Sequence, residues 1–133
     1  DTTTPSIVTK WPAHTDGTAG NATLTIAQLL TGIIEADPGG DIAWTMPTPT
    51  LVVAGITGCA VGDCIDFSII NTGTAGADEI ITVTAVSNGT LVGSGTVPVA
   101  TDTHDANSVG SGLFRLRITS ITGTLAYTFY RIA

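Results

Sequence analysis

Gly58-Cys59-Ala60-Val61-Gly62-Asp63-Cys64-Ile65-Asp66-Phe67-Ser68-Ile69-Ile70-Asn71-Thr72-Gly73 is the stretch on which the fold turns. Gly62-Asp63 carries turn chemistry. Cys64 to Ile70 follows as a strand in which Cys64, Asp66 and Ser68 alternate with Ile65, Phe67 and Ile69. Successive side chains of a strand point to opposite faces, so this period of two is that of a half-buried antiparallel strand. Asn71-Thr72-Gly73 reads as a second turn.

The rest of the composition agrees with a β protein. Of 133 residues, 43% are hydrophobic and 11% charged, with 16 glycines. That length fits one domain around one core. Abundant Thr, Val and Ile suit pleated surfaces, and the glycines punctuate many short strands. The net charge is -7, from four Lys or Arg against eleven Asp or Glu. A phosphate backbone requires a basic footprint, so direct nucleic-acid binding is not expected. Anionic membrane surfaces repel such a chain, and its apolar runs are too short to span one.

Residues 1–20 read as an N-terminal arm, and residues 21–133 as the folded domain. The arm holds flexible Thr2-Thr3-Thr4-Pro5, a short apolar piece with Ile7, Val8 and Trp11, and the turn-like Asp16-Gly17-Thr18-Ala19-Gly20. A Trp in a terminal segment needs a surface to bury against, either on its own domain or on a neighbouring subunit. From Asn21 onward, Ala22 to Leu24 is a strand, and Thr25 caps a helix over Ile26 to Thr31. Gln28 takes the reciprocal capping-box position and Gly32 stops the helix. Ile33 to Glu35 and Asp41 to Met46 are strands, the second with Ile42, Trp44 and Met46 on one face. Thr50 to Ile56 fits one or two helical turns or an apolar strand. Later strands are Glu79 to Val86, Thr90 to Val92, an edge segment Thr96 to Val99, Leu113 to Ile121 and Leu125 to Ile132. Asn88-Gly89 predicts a hairpin between the first two of these. Several short strands with regular turns give an all-β sandwich of jelly-roll type, with the short helical turns capping its ends.

No motif assembles a catalytic site, and no cofactor or metal is expected. Cys59 and Cys64 supply half of a four-ligand metal site, so two buried free thiols are expected, with a disulfide across the Gly62-Asp63 turn as the alternative. His14 lies near Asp16, and His104 lies near Asp102, Asp105, Ser108 and Ser111, but no nucleophile elbow surrounds either. Glu35, Asp37 and Asp41 cluster at a turn without the spacing of a calcium loop. Asp63 is a turn former, and Asp66 shares the solvent face with Ser68. Asn21-Ala22-Thr23 and Asn88-Gly89-Thr90 match a glycosylation acceptor pattern that a Thr-rich chain meets by chance.

Arg115 and Arg117 stand two apart on one face of a strand, with Phe114, Leu116 and Ile118 on the other. With Arg131 beside Tyr130 they are three of the four cations, and together they form a positive strip on one sheet face. Cross-strand pairing with carboxylates is the plain role for them, and docking onto an acidic neighbour the sharper one.

The succession Thr23-Leu24-Thr25-Ile26-Ala27-Gln28-Leu29-Leu30-Thr31-Gly32-Ile33-Ile34, then Thr45-Met46-Pro47-Thr48, Val61-Gly62-Asp63 and Asp66-Phe67-Ser68-Ile69-Ile70-Asn71 has a familiar order. It closes with Leu113-Phe114-Arg115-Leu116-Arg117-Ile118-Thr119 and Tyr127-Thr128-Phe129-Tyr130-Arg131. It resembles the capsid decoration, or cement, proteins of tailed bacteriophages and related modules of head fibres. The resemblance implies a jelly-roll β-sandwich, a homotrimer, and a non-enzymatic virion protein on the outer capsid surface whose partner is the major capsid protein. Ile7, Val8 and Trp11 would then lace to the shell or to a sister subunit. The alternative is a receptor- or glycan-binding module of a head or tail fibre, against which stands the absence of aromatic residues from the loop Ala100 to Gly112.

Overall fold

The computed structural model describes residues 15–74, 79–100 and 109–133, and these fold into two β-sheets around one shared core. Ten strands and two short helices follow one another along them: β1 (Thr15–Asp16), β2 (Ala22–Thr23), α1 (Ile26–Leu30), β3 (Ile33–Ala36), β4 (Ile42–Thr45), α2 (Pro49–Gly55), β5 (Cys64–Asn71), β6 (Ile81–Thr84), β7 (Gly89–Val92), β8 (Thr96–Val97), β9 (Ser111–Ser120) and β10 (Ala126–Arg131). One sheet has the order β1-β3-β5-β9-β10-β7, and the other β2-β4-β6-β8.

From β1 to β9 the chain changes sheet at every strand, so each strand's neighbour is often the one two steps away along the sequence. Over the first part of the chain each return to a sheet keeps the same direction, so that β1, β3 and β5 pair in parallel, as do β2, β4 and β6. Antiparallel ladders join β5 to β9, β9 to β10 and β6 to β8. The β-rich, two-sheet expectation holds. Jelly rolls are antiparallel throughout, and these sheets are mixed.

Strand β5 carries the alternation seen in the sequence: Phe67, Ile69 and Asn71 are buried, while Cys64 and Asp66 are exposed. Its partner in the β9 ladder is antiparallel, and its partner in β3 is parallel. Phe67 lies directly opposite Phe114, with the rings stacked at 5.4 Å, and Phe129 continues the aromatic row 6.3 Å further on. Each such pair contributes about 0.5–1.5 kcal/mol beyond its burial. Trp44, Ile42, Ile81, Val83 and Val97 close the core from the other sheet.

Helices α1 and α2 both lie on passages from the four-stranded to the six-stranded sheet, and they pack on each other. Leu29 and Val52 plug that end of the core with no exposed surface. The α1 capping box forms as expected: Gln28 N–H donates to the Thr25 hydroxyl and the Thr25 N–H donates to Gln28 Oε1. Gly32 follows at φ 79°. The undecided run after Pro47 is helical, because Thr48 caps it and Pro49 presets its first turn.

Two expectations change. Asn88-Gly89 does turn, with Asn88 at φ 63°, but only an isolated bridge between Val86 and Gly89 forms there. Strand β7 then crosses to the other sheet and pairs in parallel with β10. Gly89 sits against the Tyr127 ring, where a Cβ would come within 2.6 Å of the ring carbon Cζ, so a side chain is excluded. The body also begins before Asn21. Strand β1 pairs with β3, Gly17 N–H donates to the Glu35 carbonyl, and the buried Trp44 indole N–H donates to the carbonyls of Thr18 and Gly20 at 3.1 and 3.3 Å. A buried indole N–H requires an acceptor, and this segment supplies it.

Candidate docking surface

The outward face of the six-stranded sheet carries Arg115 and Arg117 from β9. Register places Asp66 opposite Arg115 and Cys64 opposite Arg117 on β5, with Tyr130 and Thr128 across from them on β10. Arg115 grips Asp66 in a fork, Nε to Oδ1 at 2.7 Å and Nη2 to Oδ2 at 2.9 Å. The guanidinium's hydrogen bonds hold the Asp66 carboxyl below the usual range, against the opposing effect of burial and with a lesser contribution from the guanidinium's charge. Bidentate geometry makes this the better-defined kind of surface ion pair. With both side chains about half exposed, solvent screens it.

Arg131 is not part of this strip. Tyr127, Phe129 and Arg131 share the inward parity of β10, so Arg131 turns under the sheet. Its guanidinium carbon sits 5.1 Å from the centre of the Phe114 ring. Its nitrogens donate to the carbonyls of Ser94, Thr96, Ser111 and Ala133. It therefore staples β8 and the end of β10 to the start of β9. With Asp66 cancelling Arg115, Arg117 is the strip's remaining unmatched cation among the described residues. Ile7, Val8 and Trp11 lie outside the described residues.

One further row on this face was missed in the sequence. Ile33, Ser68, Leu113 and Ile132 stand side by side across β3, β5, β9 and the end of the chain, the last joined by the Ile132 N–H to the Leu113 carbonyl. Ile33 is 46% and Ile132 51% exposed, and Val92 on β7 is 48% exposed. The signal was present: Ile33 and Ile34 are adjacent in a strand, so one of them must face out.

The groups weighed for chemistry hold the framework instead. Asp37 Oδ1 accepts from the Gly39 N–H at 3.2 Å, Asp41 Oδ1 from the Ile80 N–H at 3.1 Å, and Asp63 Oδ2 from the Ala60 N–H at 2.8 Å. Asn21 accepts from the Ala43 N–H at 2.9 Å. Ser111 lies in β9 and accepts from Arg131 through its carbonyl. His14, His104, Asp102, Asp105 and Ser108 lie outside the described residues. Both cysteines are free, but neither is buried: Cys59 is half-buried beside the core and Cys64 is exposed on the outer face, so the buried pair is corrected. Partial burial, and then the nearby Asp63 charge, raise the Cys59 thiol's pKa.

Asn71, read as a turn residue, is instead a buried anchor at the end of β5. Its amide donates to the carbonyls of Glu79 at 2.6 Å and Val97 at 2.9 Å, and its oxygen accepts from the Gly73 N–H. An Asn at the end of an alternating strand, on the inward parity of Phe67 and Ile69, was the available sign.

Among the described residues no group of three or more His, Cys, Asp or Glu converges as a metal site. No helix there is long and apolar enough to cross a membrane. No family model, characterised protein or solved structure matches this chain.

Proposed function

We propose that this chain is a structural virion protein that sits as a trimer on the outer surface of a phage capsid and stabilises the shell by bridging coat subunits. The sequence resemblance to decoration proteins motivates the reading. One structural observation supports it: surface carboxylates are engaged by the chain's own donors while apolar side chains look out on one sheet face. Asp37, Asp41 and Asp63 satisfy backbone N–H groups and Asp66 satisfies Arg115, whereas Ile33, Val92 and Ile132 face solvent on one sheet. A protein that works by contact needs a rigid body and a surface that gains by being covered. Trimerisation then multiplies weak contacts, because later attachments are effectively intramolecular. The jelly-roll form that accompanies the resemblance calls for antiparallel neighbours, so the proposal relies on the two-sheet body rather than on that topology.

The test is direct. Sedimentation of the purified protein should give a trimer, and an antibody against it should label the outside of intact phage particles in electron microscopy. Adding the protein to shells that lack it should raise the temperature at which they release DNA. A monomer that neither labels nor protects particles overturns the reading. Labelling confined to fibres would establish the receptor-binding alternative instead.

A further inference from the structure

Asn88 and Gly89 form the chain's one Asn-Gly pair. In such a pair the glycine main-chain nitrogen can attack the asparagine carboxamide carbon, because no side chain on the glycine hinders the approach. The new N–C bond closes a succinimide ring. The bond from that carbon to Nδ2 breaks, and ammonia leaves with the proton that the glycine nitrogen gives up. Water then opens the ring at either carbonyl. One product is aspartate. The other is isoaspartate, whose main chain runs through the side-chain carbon and is one atom longer.

The fold holds this pair away from that reaction. Asn88 is exposed, so water has access to its carboxamide. The attacking nitrogen, however, is engaged: Gly89 N–H donates to the Val86 carbonyl at 2.9 Å, and Tyr127 N–H donates to the Asn88 carbonyl at 3.1 Å. Gly89 pairs with Tyr127 and is buried against its ring, in a slot without room for a Cβ. Closing the succinimide turns the peptide unit between Asn88 and Gly89 and draws Gly89 out of that slot. Strand β7 is an edge of the six-stranded sheet, laddered to β10 on one side, and such edges open at lower cost than the centre. We propose that Asn88 is a deamidation site guarded by the docking of β7. While Gly89 is seated the ring does not close, and when β7 lifts off it does. An isoaspartate at position 88 then lengthens the turn by one main-chain atom, Gly89 no longer meets Tyr127, and β7 stays undocked. A transient opening of the sheet edge thus becomes permanent. The site is a property of the chain alone and does not depend on the capsid reading.

Mass spectrometry of the full chain tests it. Incubated at mildly alkaline pH and then digested, the folded protein should convert Asn88 at least about tenfold more slowly than the same chain in urea, a factor set by the cost of freeing β7. A peptide of residues 84–92, with and without urea, corrects for the solvent. Leu91→Ala, which loosens β7 from the core, should speed the folded reaction several-fold. Ile34→Val, a buried change on β3 toward the opposite edge of the sheet, should not. In the separated isoaspartate form the β7 amides should exchange with deuterium as freely as an unfolded segment, while those of β9 stay protected. Asn88→Asp leaves the main chain unaltered and should keep β7 protected. Equal rates in folded and urea-unfolded protein overturn the proposal. So does a Leu91→Ala rate no faster than wild type or matched by Ile34→Val, an isoaspartate form whose β7 stays protected, or loss of that protection in Asn88→Asp.

Discussion

The Tyr127 hydroxyl donates to the Pro47 carbonyl at 2.6 Å, across 80 residues of sequence. Tyr127 belongs to the last strand of the six-stranded sheet, and Pro47 follows β4 of the other, so this bond ties the sheets together where α2 begins. The phenol is buried, and burial pushes its pKa well above the usual tyrosine range.

Tyr127→Phe should therefore cost about 1–2 kcal/mol, the net bond plus an unpaired buried carbonyl. Urea denaturation should show a lower midpoint with an unchanged slope. Because the folded pKa lies above the unfolded one, Tyr127's contribution is fully present below the ordinary tyrosine range. It is lost as pH rises through the folded value. The variant's stability should consequently fall less steeply with alkali than that of the wild type, and an equal slope would remove Tyr127 as the cause.

Asn71→Leu should be more damaging. It strips the donor from two carbonyls and the acceptor from Gly73, a loss of roughly 3 kcal/mol. Asn71→Asp should do no better at neutral pH, since it aims an acceptor at the carbonyls of Glu79 and Val97. Chemical denaturation of the two variants side by side checks both statements.

Two truncations should behave differently. Removing residues 1–14 should leave a folded body, because β1 and the Trp44 acceptors remain. Removing residues 1–20 also takes the Thr18 and Gly20 carbonyls and leaves the Trp44 indole N–H unpaired, at a cost of about 1–3 kcal/mol. Gly17 packs against the edge of the Trp44 ring, so the longer cut uncovers that ring as well. Trp44 emission should shift to the red in the longer truncation alone.

The Asp66 carboxyl should titrate below the ordinary carboxylate range, and Arg115→Gln should bring it back up, as followed by carbon NMR of the side chain. With a folded pKa below the unfolded one, the pair's contribution is present above the unfolded value and disappears as pH falls through the folded one. Half-exposed partners make that contribution small and salt-sensitive. High salt should thus erase the difference between wild type and Arg115→Gln.

Much of the local structure was legible because its causes are local. The α1 capping box, the turns at Gly39 and Gly123, and the alternation of β5 and β9 depend on residues a few positions apart. The positions of Arg131 and Asn71 were not legible. Each sits at a strand end, where one step of parity decides between solvent and core, and their partners lie up to 37 residues away.

By itself, the sequence determined that the chain is β-rich, where the α1 helix and most strands after it fall, and which faces of β4, β5 and β9 go inward. These follow from side-chain period and backbone preference. Only the tertiary structure decided that successive strands alternate between two sheets and that β1, β3 and β5, like β2, β4 and β6, pair in parallel. It alone placed β7 beside β10 rather than β6, drew Thr18 and Gly20 into the body, and turned Arg131 inward. Strand pairing is set by which distant surfaces bury each other best, and a period of two is the same whichever neighbour a strand finds.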